Sequence, residues 1–506
     1  TSSCSTHTPC PKPYATPLAQ SRKSRHLATM LKHLASLLVL TLGLACDSGE
    51  QPAACVPTPY VNDAQDPYPK AHFTPRENWM NDPNGLIELD DGLHLFFQHN
   101  PSGPLWGNIH WGHARTDDFT RYQDLGLALF PDDTLGEPFS GSAYLDTDGR
   151  GGVCQAPCVV LAFTHAGGAD SMQKQSLAFS EDGGRTFDLF EGNPVVANPG
   201  GTPDFRDPKV FFHEPTDAFV MVVDAGDRAH IYTAPDLVHW TKASEIGPFD
   251  DMPDGAWEVP ELFEIDGRWV FKTDVLPGLL QQGEGRYLLG DFDGSTFTPT
   301  GELTSIDGGP DFYAAQVIAN QDEPRWMAWL SSWAYAFSQP TEPFVGQLSV
   351  PRRLALRGDR LVQTPDLFGL EDPCPLVDKD SPADDDFAGI EADAFVLEVR
   401  GDAMFRVHVG EDEFLELGLR DGTLVVDRTE GREISEGFAG RFTRDAPNAE
   451  GFVAVVDRFS IELIGDGEVI TASAFQGSDS SGIELVAGTP AHVTLRRLRR
   501  EPRVVP

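Results

Sequence analysis

Positive charge is scarce in this chain: 38 lysines and arginines face 78 aspartates and glutamates, a formal charge of −40 at pH 7. Such a surface repels phosphate backbones and anionic headgroups, which argues against nucleic acid as a partner and leaves neutral substrates unaffected. Long apolar runs are nearly missing too. The one near the N-terminus, Leu34–Ala45, falls short of the roughly 20 residues that cross a bilayer. No long stretch carries helical periodicity, which disfavours helix bundles and doubly wound α/β folds. There are only 7 cysteines, and no paired Cys/His cluster has zinc-ligand spacing. No metal or cofactor is expected.

What is present at the N-terminus reads as an address. Met30-Leu-Lys-His33 is a short positive start, Leu34–Ala45 resembles the apolar region of a signal peptide, and polar residues follow from Asp47. Gly43-Leu-Ala-Cys46 resembles a bacterial lipobox, with Cys46 as the expected lipidation site and a lipid anchor at the cell envelope as the expected location. Gly43 departs from the usual leucine, so simple secretion stays open. Residues 1–46 are therefore read as leader and signal, and 47–65 as a linker. Four cysteines remain beyond that segment: Cys55, Cys154, Cys158 and Cys374. An exported chain can oxidise them, and Cys154 and Cys158 are close enough to bridge a turn.

The rest of the chain is strand-like. Short alternating apolar runs recur at Leu93–Gln98, Val159–Thr164, Phe219–Asp224, Trp269–Thr273 and Trp326–Leu330, separated by Asp/Gly/Pro clusters. A weak repeat overlies them. Thr116–Tyr122, Ser180–Phe187, Ala234–Trp240 and Asp291–Phe297 each run from a strand end through an acidic turn to an aromatic, at intervals of 65, 53 and 57 residues. That period suits four-stranded sheets arranged around an axis. The expectation is an all-β chain: a five-bladed β-propeller over 66–368, a linker over 369–388, and a C-terminal β-sandwich over 389–506. Five segments should open the innermost strands and converge on one pocket: Met80–Gly85, Phe139–Ser142, Phe205–Pro208, Trp257–Glu261 and Asp311–Gln316.

Three of those segments carry a carboxylate beside or just before a proline: Asp82-Pro83, Asp207-Pro208 and Glu258-Val-Pro260. Proline fixes φ and removes an amide donor, which suits an irregular strand start. A lone Asp-Pro is usually a turn, but three at equivalent places in a repeat form a constellation. Two carboxyl groups across an anomeric carbon are what glycosidic hydrolysis requires, one as nucleophile and one as proton donor.

These segments resemble glycoside hydrolase family 32, the invertase, inulinase and levanase family. Trp79-Met-Asn-Asp-Pro-Asn-Gly85 is similar to its nucleophile motif, Phe205-Arg-Asp-Pro208 to its transition-state motif, and Trp257-Glu-Val-Pro-Glu-Leu262 to its acid/base motif. In the last, Val259 stands where the family commonly has cysteine. The resemblance runs from Phe73 to Leu356 and continues at Val455–Ile464. It implies Asp82 as nucleophile, Glu258 as acid/base, and Asp207 as the group that binds ring hydroxyls as charge develops. On the family pattern Asn81, Gln98, Trp106, Ser140 and Arg206 complete the subsite for the terminal unit; Phe139 and Tyr313, in the inner-strand segments, are further candidate contacts, and Trp79, Trp106 and Trp333 can offer apolar faces to sugar C–H groups. Physically, Arg206 beside Asp207 should keep that carboxyl ionised. His110 and His113 are spaced like ligands but lack a nearby third, so packing or sugar contact is the expected role.

The function implied is retaining hydrolysis that releases terminal β-D-fructofuranosyl units from fructan, fructo-oligosaccharide or sucrose. Leu330–Tyr335 and Gly346–Arg352 look closer to exo-inulinases and levanases than to sucrose-only enzymes. Three alternatives stand beside it: a non-catalytic carbohydrate-binding propeller, which predicts loss of one of the three carboxylates; a fructosyltransferase, in which a sugar replaces water; and a related five-bladed hydrolase acting on arabinose or xylose, whose motifs would not include Trp79–Gly85.

Overall fold

The computed structural model describes residues 55–60, 66–367, 369–477, 482–499 and the backbone of Val504–Val505. The leader, Cys46 and the lipobox lie outside the described residues. Among those described, helix is confined to three single-turn 3₁₀ segments, and the rest is strand and turn. The chain is all-β, as the alternation implied.

Up to Pro365 the strands form five antiparallel sheets laid down one after another. The first holds β1 (Asn78–Leu89), β2 (Gly92–Asn100), β3 (His110–Thr116) and β4 (Tyr122–Leu129). The second holds β5 (Gly136–Asp146), β6 (Cys158–Gly167), β7 (Lys174–Ser180) and β8 (Asp188–Leu189). The third is β9 (Phe205–His213), β10 (Ala218–Ala225), β11 (Ala229–Ala234) and β12 (Thr241–Ile246). The fourth is β13 (Ala256–Ile265), β14 (Arg268–Leu276), β15 (Glu284–Phe292) and β16 (Phe297–Pro299), with β17 (Thr304–Ser305) also on β15. The fifth comprises β18 (Tyr313–Val317), β19 (Arg325–Trp329), β21 (Arg352–Arg357) and β22 (Arg360–Pro365), while β20 (Phe344–Val345) pairs in parallel with β1.

The repeat is in phase with these sheets. Tyr122 and Phe297 open fourth strands, and Phe187 and Trp240 immediately precede them. The first strands lie side by side: β1 against β5, β5 against β9, β9 against β13, β13 against β18, and β18 back against β1. Successive sheets share apolar clusters. Phe96, Trp111, Val159 and Phe163 fill the space between the first and second, and Val222, Ile231, Leu262 and Phe271 that between the third and fourth. Met80 and Phe97 meet Ile318 and Met327 between the fifth and the first. Cys154 and Cys158 are joined in a disulfide that closes the turn leading into β6.

Beyond Glu371 two antiparallel sheets face each other. One orders β23 (Val377–Asp380), β33 (His492–Arg497), β24 (Phe395–Arg400), β29 (Gly451–Asp457), β30 (Ser460–Gly465) and β31 (Glu468–Ser473). The other orders β28 (Arg441–Asp445), β27 (Thr423–Asp427), β26 (Phe414–Arg420), β25 (Ala403–His408) and β32 (Ile483–Gly488). Phe395, Leu397, Phe405, Leu417, Val426, Ile461 and Val493 belong to the core between them.

The junction between the five sheets and this C-terminal pair is charged and buried. His72 is enclosed between Asp457 Oδ2 at 2.9 Å and Glu462 Oε1 at 2.8 Å. Arg352 Nε donates to Glu462 Oε2 at 2.9 Å and its Nη1 to Asp307 Oδ2 at 3.1 Å. Buried charges persist only when paired and fully hydrogen-bonded, and here they are.

Candidate active site

Each of the five first strands breaks register at the segment singled out from sequence. The breaks fall between Met80 and Pro83 in β1, between Phe139 and Gly141 in β5, opposite Val222 and Asp224 in β9, between Glu258 and Glu261 in β13, and between Tyr313 and Gln316 in β18. Such irregularities re-aim side chains and are common beside active sites. Asp207, Val259 and Ala314 take positive φ values of 66°, 53° and 57°, costly for residues with a Cβ and held only by the surrounding sheet. Gly141 has a different reason: a Cβ there would stand 2.0 Å from the Ala162 carbonyl oxygen. Pro208 and Pro260 fall inside these breaks, where a missing amide breaks no ladder, and Pro83 is where the pairing of β1 resumes, opposite Phe97.

The breaks bring Asp82, Asp207 and Glu258 to one cavity of about 250 Å³, with Asn81, Gln98, Trp106, Phe139, Ser140, Arg206 and Trp333 in its walls. Asp82 and Glu258, 176 positions apart in the chain, face the same space. Ser140 Oγ donates to Asp82 Oδ2 at 2.6 Å, and Asn81 Nδ2 donates to Oδ1 at 3.1 Å. Trp79 Nε1 in turn donates to Asn81 Oδ1 at 2.8 Å. Glu258 is held at both oxygens: Arg206 Nη2 donates to Oε1 at 2.6 Å, and the Tyr313 hydroxyl donates to Oε2. Asp207 Oδ2 accepts the backbone amide of Val259 at 3.0 Å.

The carboxylates do not share one electrostatic condition. Burial pushes Asp82 up to about 6; the nearby charge of Glu258 adds to that, while the hydrogen bonds from Ser140 and Asn81 oppose it. Asp207 is pushed up to about 8, first by burial, with Glu258 and Asp82 adding to it. The expectation that Arg206 keeps Asp207 ionised is therefore corrected. Arg206 does lower it, but its guanidinium is spent on Glu258 and Asp204, and its Nε stands 3.9 Å from Asp207 Oδ2. Behind the cavity, Lys272 is wholly buried, donates to the carbonyls of Val259 and Ala315 at 3.0 Å each, and pairs with Asp274.

Not every residue read from sequence reaches the cavity. Trp79 is fully buried behind the wall, stacked on Trp333 and Phe337 with ring centroids 5.9 and 5.2 Å away, and meets the site through Asn81. Tyr313 is likewise buried and reaches the site through its hydroxyl on Glu258. Trp106 is half-exposed at the rim, edge-on to Phe139. His113 packs face to face on Phe96 and shares a hydrogen bond with His94, and His110 packs against Phe130. Four further cavity residues, Gln173, Asp204, Leu276 and Leu279, escaped the sequence reading. Asp204 had a signal, standing two residues before Arg206; the other three lie on connections or strand ends that carry no motif.

The model of the glycosyl hydrolases family 32 N-terminal domain matches residues 72–365. A levanase of Bacillus subtilis is 37% identical over 492 residues, covering 89% of this chain and 71% of that protein. An extracellular exo-inulinase of Aspergillus niger is 31% identical, covering 82% of this chain and 91% of its own length. Among solved structures, the exo-inulinase of Aspergillus awamori superimposes with a TM-score of 0.76 at 27% identity, over 87% of this chain and 99% of that one. The fructofuranosidase of Schwanniomyces occidentalis complexed with fructosylnystose gives 0.76 at 26% identity, over 85% and 98%. With the family's N-terminal domain model matched over residues 72–365 and a 37% identical relative covering 89% of its length, this chain belongs to glycosyl hydrolase family 32.

Proposed function

We propose that the chain is a retaining, exo-acting β-fructofuranosidase that releases terminal fructosyl units from fructans, fructo-oligosaccharides or sucrose. The observation that carries the reading is the meeting of Asp82 and Glu258 in one cavity, each held by its own set of donors. Asp82 attacks the anomeric C2 while Glu258 gives its proton to the departing oxygen. The C–O bond to the leaving sugar breaks and an ester to Asp82 forms. Water then attacks the same carbon, Glu258 takes its proton, and Asp82 leaves as carboxylate. Asp207, whose carboxyl burial and the neighbouring carboxylates push upward, binds ring hydroxyls as charge develops. Gln98, Ser140 and Arg206 complete the subsite for the terminal fructosyl unit, with Trp106, Phe139 and Trp333 offering apolar faces to its C–H groups.

The architecture that supports this role is a five-bladed propeller over 66–368 and a sandwich over 389–506, joined by 369–388. The ring of first strands and the apolar clusters between successive sheets support the first. The facing sheets with one shared core support the second. Export is the matching location, as for the relatives named extracellular, with Cys46 as its lipid anchor. Incubation with sucrose, inulin and levan followed by product chromatography tests the activity. Free fructose as the first and dominant product from at least one substrate is expected; no release from any of them would refute the reading.

A further inference from the structure

Arg428 is a buried cation that the proposed reaction does not use. It follows β27, and its side chain is only 2% exposed. Nε donates to the carbonyl of Phe438 at 2.7 Å and Nη1 to that of Ser473 at 2.9 Å, both within the C-terminal part of the chain. The Phe438 ring lies 3.8 Å from the guanidinium carbon. The other contacts cross to the five sheets. Nη1 also donates to Asp311 Oδ2 at 3.0 Å, and Nη2 donates to the Tyr335 hydroxyl at 3.1 Å. The backbone amide of Ser473 donates to the same Asp311 oxygen at 2.7 Å, and the Tyr335 hydroxyl donates to the other.

Asp311 and Tyr335 each stand two residues from the site. Asp311 precedes Tyr313, whose hydroxyl donates to Glu258. Tyr335 follows Trp333, a cavity wall that packs on Trp79. A buried ion pair is a poor source of stability, because desolvation offsets the attraction. A planar guanidinium with its donors directed at four different groups does something else: it fixes positions.

We infer that Arg428 is a positioning residue, clamping the Asp311–Tyr313 and Trp333–Tyr335 segments to the C-terminal sheets so that those sheets set the orientation of the Glu258 carboxyl. The inference rests on the reading of Glu258 as acid/base. It makes the C-terminal sheets part of the site's construction, in contrast to a separable binding module.

The test compares the full-length wild type with Arg428→Met, Arg428→Lys and Asp311→Asn on sucrose and on an aryl β-fructofuranoside whose leaving group needs no protonation. Rates are taken per folded molecule, with folding checked by circular dichroism. For Arg428→Met, kcat on sucrose should fall on the order of a hundredfold, the scale of a displacement of about 1 Å at a reacting group. KM should move by less than about threefold, and the loss on the aryl fructoside should be at least about tenfold smaller. Arg428→Lys keeps the charge without the fork and should fall between. Equal losses on both substrates, or wild-type kcat per folded molecule, would overturn the inference. Should the methionine variant fail to fold, the lysine and asparagine variants decide by the same ratio. Failure of the proposed activity would look different, since the wild type itself would then release no fructose.

Discussion

Replacing Asp82 with asparagine should destroy turnover and stabilise the fold at once, and the second effect has a calculable pH dependence. The carboxyl is moved from 3.8 to about 6, chiefly by burial. That shift corresponds to about 3 kcal/mol held against the ionised form in the folded state. The sign follows from proton counting. Between pH 3.8 and about 6 the folded protein holds a proton that the unfolded chain has lost, so wild-type stability falls as pH rises through that window. Asparagine has no such proton. Its amide oxygen can still accept from Ser140, while its NH2 would face the Asn81 Nδ2 donor, a loss that does not depend on pH and so leaves the slope unchanged. The stability of Asp82→Asn relative to wild type should therefore rise by up to about 3 kcal/mol from pH 4 to pH 7 and level off above that. Chemical denaturation at a series of pH values reads this directly, and kcat on sucrose read in parallel should fall on the order of a thousandfold or more. A stability difference that stays flat across the window would refute the electrostatic account. Residual turnover above a few per cent would remove Asp82 from the nucleophile role.

Three further outcomes follow from the same structure. The acid limb of kcat/KM should have its midpoint at about 6, where Asp82 ionises, and Ser140→Ala should move it upward by removing a hydrogen bond that favours the carboxylate; a limb unmoved in a folded variant would contradict this. His72, buried between Asp457 and Glu462, is raised above its usual 6.5 by their hydrogen bonds and charges despite its burial. Its contribution is complete below 6.5 and lost as pH rises through the raised value, so His72→Gln should cost roughly 3–5 kcal/mol at pH 6 and progressively less once pH passes that raised value, by denaturation across a pH series. Cys46→Ser should release the enzyme from membranes with kcat unchanged, and mass spectrometry that finds no lipid on wild-type Cys46 would replace anchoring with simple secretion.

What the sequence made legible was local. Strand alternation and Asp/Gly/Pro punctuation are set by neighbours in the chain, so β2, β6, β10 and β14 could be placed within one to three residues. The aromatic of the repeat marked the fourth strand because its position is tied to the acidic turn before it. Asp82, Asp207 and Glu258 were findable because each sits with a proline in a strand irregularity. Charge state was not legible: Arg206 adjoins Asp207 in sequence, yet its guanidinium turns to Glu258 and leaves burial to decide. Gln173 and Leu279 reach the cavity on connections without pattern, and Arg428 finds Asp311 across 117 positions. Those are properties of the assembled sheets, which no local signal encodes.

The central claim is that Asp82 forms a fructosyl ester with Glu258 assisting both halves of the reaction. Glu258→Gln treated with an activated aryl β-fructofuranoside tests it most directly. Loss of the leaving group then needs no acid, whereas hydrolysis of the ester lacks its base, so the intermediate should accumulate. Rapid acid quench, proteolysis and mass spectrometry should find one hexosyl adduct on the peptide carrying Asp82, formed together with a burst of released phenol. A burst with no adduct, or an adduct on Asp207 or any other residue, would contradict the account.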